Sequence, residues 1–592
     1  MKKVFIFLVI FAIGANFSLF AEGGNPDLGQ IMEKMEALQQ RVGQLENKVK
    51  QQDETIRRQR RALEKIGESV PIVKEMLAPP EPKVMVKKFI LEGVNLFDAK
   101  DFEKVLDKYR NKKLGMSDFK KIAKELTNLY RSKGYLTSLV YAPEQEMKNN
   151  TLKFSVVEGR IGDIRTEDGK YYSKADIDEK ITVEKGQILD YTKLQKNIKR
   201  INQQPDRTVK AVLAPGKEKG TSDILIKFKE EVDPIHWYLT YNNRGTKSTG
   251  RNRFGLQFVN NNLLGNEDIL SARVQTGENY DEVYAGSMDY NFPVWDQGTR
   301  VGFYAAHSHA DIGGQFAVLT PEGEATAWGV YLKQPWFDKD FMDPVAFNLS
   351  SNLIFGFDSI SAWNKILGQE TSHDEVRVVK AGISFDEKDS IGRTVFSNEL
   401  RVGIPDFLGS MDQHEESASR LDAGGQFVKY TGSLSRVNRI GAASLLIGRV
   451  SFQATDEPLV NSEQFSLGGA DSIRGFPEND YLADYGWAGS FEIRTPAFLF
   501  PPRLKIPDGK DGKVSLRDAL QFVYFVDFGK GYEKKPRVGE KESRFLIGAG
   551  FGLRFDLMEK LSGRIDFGFP VGNEEPSDGS SSRVHIGLRY EF

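Results

Sequence analysis

Val584, Ile586, Leu588, Tyr590 and Phe592 close the chain in strict alternation with His585, Gly587, Arg589 and Glu591. A two-residue period sends apolar side chains to one face of a strand and polar ones to the other. The same period recurs from His236 onward. Phe545, Ile547, Ala549, Phe551, Leu553, Phe555 and Leu557 alternate with Leu546, Gly548, Gly550, Gly552, Arg554 and Asp556, and shorter runs include Val301–Ala305 and Phe347–Leu353. Gly, Asn and Asp punctuate these runs, as turns require. Counting them gives about sixteen strands at roughly 22 residues per strand and connection, a spacing that fits a transmembrane barrel. Lipid offers no hydrogen bonds to a free sheet edge, so such a sheet has to close. The expected fold is mainly β: a transmembrane antiparallel barrel over 234–592, in contact with outer-membrane lipid. A large secreted sandwich or solenoid is the competing reading. The terminal aromatic strand and an export signal weigh against it and imply a diderm bacterium.

That export signal is Met1-Lys2-Lys3, an apolar run from Val4 to Ala15, and a cleavage position after Ala21. The run is short for a bilayer core of roughly 30 Å, so an uncleaved anchor is the weaker reading. With 28% charged residues, the chain is no bundle of apolar helices, while 56 Gly, 40 Phe and 20 Tyr suit a β-rich protein. Lys+Arg total 81 and Asp+Glu 83, a net charge of −2, which speaks against a nucleic-acid partner. Zero Cys removes disulfides and thiol chemistry, and six scattered His make a histidine metal site unexpected, so no cofactor or metal is expected.

Residues 25–78 carry a different period. Leu28, Ile31, Met35, Leu38, Val42, Leu45, Val49, Gln52, Ile56, Gln59, Leu63, Ile66, Val70, Val73 and Leu77 fall at alternating steps of three and four, the seam of a coiled coil. Pro71 weakens the end of this helix, so self-association is expected through 28–70; packing of one amphipathic helix on its own protein is the alternative. Residues 79–83 form a Pro-rich linker. Two α/β modules follow. In 84–159, a strand Val84–Ile90 precedes a helix capped by Ser117, with Phe119, Ile122, Ala123, Leu126 and Tyr130 on one face. Strands Tyr135–Tyr141 and Leu152–Val157 complete it. In 160–232, Leu194, Ile198 and Ile201 share a helical face, and strands cover Val209–Leu213 and Ile224–Phe228. Glu230-Glu231 reads as a solvated pair at a domain junction.

These residues resemble the outer-membrane transporters of two-partner secretion, the TpsB proteins of the haemolysin-activator type (ShlB/FhaC/HecB). Leu129–Ser138 with Val156–Ile161 is similar to a first POTRA (polypeptide-transport-associated) domain. Ile201–Pro205, Leu213–Gly216 and Gly220–Asp223 look like a second. Tyr241–Gly245, Thr249-Gly250 and Asn262–Asp268 resemble the opening barrel hairpin. Ser472-Ile473-Arg474-Gly475-Phe476 matches the family's VRGF/Y loop signature, with Ile473 in place of Val, and Phe525-Val526-Asp527-Phe528-Gly529 matches its F-x-D-x-G strand motif. The resemblance implies that the loop folds back into the barrel and that Arg474 meets Asp527 on the inner wall, with Phe525 and Gly529 beside it. An Arg inside a barrel needs a carboxylate, and a guanidinium pair can latch a loop. The one departure is the N-terminus, where family members carry a helix that can plug the barrel and this chain has a longer heptad segment, which is expected either to plug the barrel or to dimerise or trimerise in the periplasm.

The implied function is export of one dedicated exoprotein, an adhesin or haemolysin, from periplasm to cell surface. POTRA domains would catch its N-terminal secretion domain by strand addition, and Phe592 would be read by the barrel-assembly machinery at insertion. A barrel-assembly insertase of the same superfamily is the alternative, as is a structural pore with a coiled-coil envelope tether. No G-x-S-x-G, H-E-x-x-H or G-x-x-x-x-G-K-[ST] is present, so an enzyme or ATP-driven pump is not expected.

Overall fold

The computed structural model describes residues 81–592, apart from 296–297, 341–347, 442, 508–511, 537–538 and 559. The signal sequence and the heptad segment therefore lie outside the described residues.

The first α/β module contains β1 (Val84–Val86), β2 (Lys88–Glu92), α1 (Ala99–Leu106), β3 (Lys112–Leu114), α2 (Met116–Ser132), β4 (Leu139–Tyr141) and β5 (Thr151–Val157). β2, β5 and β4 form one sheet in that order, with β2 and β5 parallel. Ile122 and Leu126 of α2 are fully buried, as are Phe154, Val86 and Phe102.

Three details differ from the sequence reading. The run Val84–Ile90 is two strands, because the Lys87 and Lys88 N–H groups both turn to the Asn150 carbonyl, after which pairing passes from β3 to β5. Ser117 does not cap α2 but lies in its first turn. Its N–H and hydroxyl donate to the Glu81 carboxylate, and Asp118 accepts from Gly115 N. The strand expected from Tyr135 starts only at Leu139, because Ser138 N bonds back to the Tyr135 carbonyl in a turn.

The second module contains β6 (Arg160–Thr166), α3 (Lys174–Asp178), α4 (Tyr191–Ile201), β7 (Arg207–Pro215) and β8 (Thr221–Glu231). Its sheet order is β6-β8-β7, with β6 and β8 parallel. Asp190 caps α4 by accepting from Thr192 N and Lys193 N. Leu194 and Ile201 of α4 then pack on Ile161, Ile224 and Ile226 of the sheet. Glu231 is not a solvated carboxylate: it accepts the N–H groups of Lys170, Tyr171 and Tyr172 and so ties down the turn before α3. Burial pushes the Tyr172 hydroxyl up to about 12, which keeps it a neutral donor to the Pro205 carbonyl.

The second unit continues into a closed antiparallel barrel of sixteen strands. The first eight are β9 (Ile235–Asn242), β10 (Arg253–Asn260), β11 (Ile269–Thr276), β12 (Val283–Val294), β13 (Thr299–Asp311), β14 (Glu322–Asp340), β15 (Asn348–Ile366) and β16 (Gln369–Lys388). β17 (Gly392–Gly403), β18 (Phe427–Ile440) and β19 (Ser444–Thr455) follow. After two short strands, β20 (Phe465–Leu467) and β21 (Tyr481–Ala483), the wall resumes with β22 (Tyr485–Pro496). A further short pair, β23 (Lys505–Pro507) and β24 (Lys513–Ser515), and one helical turn, α5 (Leu516–Ala519), precede β25 (Leu520–Tyr532). β26 (Ser543–Leu557), β27 (Leu561–Pro570) and β28 (Arg583–Glu591) complete the wall, and β28 pairs with β9.

The dyad pattern decides which face is which. Phe303, Phe355, Leu400, Tyr430, Phe491 and Phe551 stand exposed on the outside, where lipid replaces water. Ionisable side chains such as Arg273, Lys380, Arg401, Glu492, Asp527 and Asp566 occupy the alternate positions and face the lumen. No described helix is long and apolar enough to cross a membrane. The second module is fastened at the barrel mouth. Glu267, between β10 and β11, pairs with Arg207 and, at 3.1 Å, with Lys180, while Asn262 Nδ2 donates to the Tyr171 carbonyl.

Candidate functional site

The connection from Asp456 to Asp484, between β19 and β22, is at the barrel end away from the second module, and it descends into the lumen. Several ion pairs hold it, among them Asp471 with Arg564, Asp480 with Arg544 and Asp484 with Arg420; two more anchor it inside the lumen. The first is Glu463, nearly fully buried, whose carboxylate meets Arg401 at 3.0 Å and also Lys429. Lys429 Nζ donates in addition to the Glu463 carbonyl at 2.8 Å. Arg401 shares Asp358 with Lys380, so this anchor draws on β15, β16, β17 and β18.

From there, β20 and β21 pair as a short ladder that brings the two legs of the loop together. Its tip lies against the stretch of wall formed by β22 and β25–β28. Leu467, Ile473, Phe476 and Tyr481 of the loop form one apolar cluster with Ala488 of β22 and Leu546 of β26. Ser472 opens the tip turn, with its N–H on the Gly469 carbonyl. Gly475 has φ +104°, a conformation that only glycine adopts without strain.

Arg474 is the second anchor. Its Nε donates to Asp527 Oδ2 at 2.7 Å, one terminal nitrogen to Asp527 Oδ1 at 2.9 Å, and its backbone N–H to Oδ2 at 3.1 Å. The other terminal nitrogen reaches Glu492 Oε2 at 2.8 Å and has Asp566 at 3.7 Å. Beneath the guanidinium lies the ring of Phe525, 3.4 Å from its carbon to the ring centroid. Ser490 Oγ supports Asp527 at 2.7 Å. Arg494 pairs with Glu492 at 2.6 Å, and Arg554 with Asp566 at 2.7 Å. Three guanidiniums thus meet three carboxylates, which removes the net charge that burial would penalise. Arg474 is 4% exposed, Asp527 and Asp566 0%, and Glu492 1%.

The wall is shaped to admit the loop backbone. A Cβ at Gly548 would lie 1.9 Å from the Arg474 carbonyl oxygen, and one at Gly568 would lie 2.5 Å from Gly475 N. Gly529 makes room for Ile473, whose Cδ1 would be 3.1 Å from a Cβ there. On β28, His585 Nε2 accepts from Gly475 N at 3.2 Å, so that nitrogen carries no proton and the ring is neutral. Phe592 follows β28, half exposed, with its N–H on the Trp237 carbonyl and its ring stacked near Tyr590.

Sequence reasoning singled out the residues of the loop tip and of the β25 motif. It missed Glu492, Arg494, Arg554, Asp566, His585, Gly548 and Gly568. Each occupies a lumen-facing position of its strand. The signal available was a charged residue where the dyad pattern requires only a polar one, as in Glu492-x-Arg494 and Arg564-x-Asp566.

Below the loop tip is a lumen cavity of about 870 Å³, lined by seven arginines and three aspartates. Among the described residues, Arg273 and Arg589 in its wall have no carboxylate within ion-pair distance: Arg273 donates to Gln275, and Arg589 lies over the Tyr238 ring.

A closed barrel with a lipid-facing apolar exterior, an inserted and ion-paired loop, and α/β modules ahead of it defines an outer-membrane transport barrel. Comparison with known proteins narrows that class. Residues 220–555 match the family model described as haemolysin secretion/activation protein ShlB/FhaC/HecB, and residues 84–159 match the ShlB-type POTRA domain. The chain belongs to the ShlB/FhaC/HecB family of outer-membrane transporters. Among its relatives, the heme/hemopexin transporter protein HuxB of Haemophilus influenzae is 24% identical over 82% of this chain and 84% of its own. The outer membrane transporter CdiB of Dickeya dadantii is 22% identical over 88% of each. The solved structure of CdiB from Escherichia coli superposes with a TM-score of 0.67 at 18% identity, covering 87% of this chain and 92% of that one.

Proposed function

We propose that this chain exports one dedicated, unfolded exoprotein across the outer membrane by two-partner secretion, with the barrel as conduit and the 472–476 loop as its internal latch. The observation that carries the reading is the placement of Arg474: a loop that descends into a polar pore and is seated on its wall by a buried charge cluster is a latch whose seating the pore depends on. Residues 84–159 and 160–232 act as two POTRA domains that capture the partner's N-terminal secretion domain. β2 and β4 are edge strands of the first sheet and β7 of the second, and such edges suit strand addition; the outer edge of β6 is already bridged to residues 186–189 at Arg160 and Ile161. The heptad segment 28–70 self-associates in the periplasm, residues 1–21 direct export, and Phe592 serves the barrel-assembly machinery. Transport proceeds without a catalytic step or nucleotide, and folding of the cargo outside opposes its return.

The test is secretion of the large exoprotein encoded beside this gene, in cells with and without the transporter. Its loss from medium and surface in the deletion, with other barrels at normal level, supports the proposal. A concerted fall of many outer-membrane barrels instead identifies an insertase, the alternative within the same superfamily. Secretion and barrels both unchanged leave the envelope tether as the reading.

The lumen charge makes a separate prediction. With an excess of arginine lining the cavity, ions that pass the barrel meet a positive field focused by low-dielectric walls. In planar bilayers under a KCl gradient, the reversal potential should show a preference for anions. Replacing Arg273 and Arg589 by Gln should reduce it, and cation preference in the parent protein would contradict the charge assignment.

A further inference from the structure

The barrel closes where its last strand meets its first, and this seam is short. β28 and β9 share five registered pairs, whereas β9 with β10, and β27 with β28, share eight each. At the far end of the joint the Asn243 side chain brackets β28, donating to the Val584 carbonyl and accepting from Ile586 N; at the end beside the second module the side chain that spans it is a histidine. His236, the second residue of β9, faces the lumen side. Its Nε2 lies 2.9 Å from Asp206 Oδ2 of the second module, and its Nδ1 lies 3.1 Å from Glu591 Oε1 at the end of β28.

Both ring nitrogens therefore face carboxylate oxygens, which only accept. A neutral imidazole has one N–H and would set a lone pair against one of the carboxylates, whichever tautomer is chosen; the imidazolium donates to both. The surroundings are consistent with a charged ring. Tyr238 stacks alongside at 6.2 Å and Arg589 lies over Tyr238 rather than over the histidine. The neighbouring Arg207 is engaged with Glu267. No second cation competes for Asp206 or Glu591 among the described residues.

We propose that His236 is a positioning residue whose proton holds the barrel seam shut, and that its loss releases Glu591 and loosens β28 from β9. The two carboxylates are not equivalent. Asp206 is 13% exposed and also accepts from Asn261 Nδ2 at 2.6 Å, so it stays in place when the histidine becomes neutral. Glu591 is 41% exposed and free to turn to water. The neutral ring keeps its bond to Asp206, the second module stays attached, and the seam alone weakens as pH rises. This inference concerns the barrel itself and stands or falls independently of the exported cargo.

The chain has no Cys, so two introduced ones are its only labelling sites. Leu239 and Tyr590 are a registered pair across the seam and point outward, with Cα atoms about 4.5–5.5 Å apart as in any antiparallel ladder. Nitroxides attached to Leu239→Cys and Tyr590→Cys before any pH change, in the full chain in lipid vesicles, report separation by dipolar broadening. Over a scan from about pH 5 to about pH 10, which brackets a histidine transition, the spectrum should pass from broadened to narrow. Glu591→Gln should remain broadened throughout, because an amide can donate to or accept from the ring. His236→Phe should be narrow throughout. A pH-invariant parent spectrum overturns the proposal, and so does a transition that persists in Glu591→Gln. If His236→Phe fails to assemble, the Glu591→Gln arm decides alone.

Discussion

Arg474→Ala should abolish export while leaving the barrel in the membrane. Among the described residues, the substitution removes the only cation that Asp527 contacts through both oxygens, and leaves that carboxylate buried with Ser490 as its remaining side-chain partner. Glu492 and Asp566 keep Arg494 and Arg554, so the cluster as a whole falls from three guanidiniums to two against three carboxylates. Breaking a buried pair from one side costs about 3–5 kcal/mol. At 1.4 kcal/mol per factor of ten, the ratio of seated to unseated loop should drop by about two to three and a half orders of magnitude. The sixteen-strand ladder does not depend on the pair, so heat-modifiable barrel should be present at normal level. The readouts are exoprotein in the medium and protease cleavage within the 465–483 segment. Export and loop protection both at parental level would remove the latch from the mechanism.

Arg474→Lys separates charge from geometry. An ammonium is a point charge with no fork, so it cannot serve both oxygens of Asp527 and Glu492 at once. Nor does it reproduce the flat stacking of the guanidinium on Phe525. Export by the Lys variant should lie between parent and Ala. Equality with the parent would mean that net charge alone seats the loop.

How far the sequence revealed this arrangement follows from what each kind of pattern encodes. The wall was legible because a strand between lipid and water writes its two faces in alternation, as Val584–Phe592 does. The loop tip and Asp527 were legible only through family resemblance: nothing in the spacing of Arg474 and Asp527 says that they touch. Glu492, Asp566 and Arg554 were not legible, because their meeting depends on the register of β22, β25, β26 and β27, and register is a property of the closed sheet. The modules show the opposite limit. Val84–Ile90 has the composition of one strand, and the switch of partner at Lys87 is imposed by Asn150 from 63 residues away along the chain (150 − 87). Ser117 has the chemistry of a cap, but its hydroxyl donates to the Glu81 carboxylate, 36 residues earlier (117 − 81), instead of accepting a helix N–H. Two of the seven missed wall residues, Gly548 and Gly568, carry no chemistry at all, and their role is space.

That role leads to the second large effect. Gly548→Ala should unseat the loop with every charge still in place. Neither Gly548 nor Gly568 has a positive φ, so Ala is compatible with the backbone at both, and in a strand interior a side chain stabilises more than glycine does. The barrel itself should be unharmed. The obstacle is the loop: a methyl 1.9 Å from the Arg474 carbonyl oxygen is far inside contact distance, and the atom it meets is backbone, not the flexible end of a side chain. Either β26 or the loop has to move by more than an ångström. β26 is bonded on both sides by a backbone ladder, to β25 and β27, whereas the loop tip is held by side-chain contacts: Arg474 on Asp527 and Glu492, Asp471 on Arg564 and Arg244, and a small apolar cluster. The loop is therefore the part that yields, and Arg474 loses its two-pronged approach to Asp527. Gly548→Ala and Arg474→Ala should produce the same loss of export and the same cleavage within 465–483. The double variant should be no worse than either alone, since two substitutions that remove one contact do not add. Additive losses would show that Gly548 supports the barrel by a route other than the loop, and full export by Gly548→Ala would show that the tip can seat without its close approach to β26.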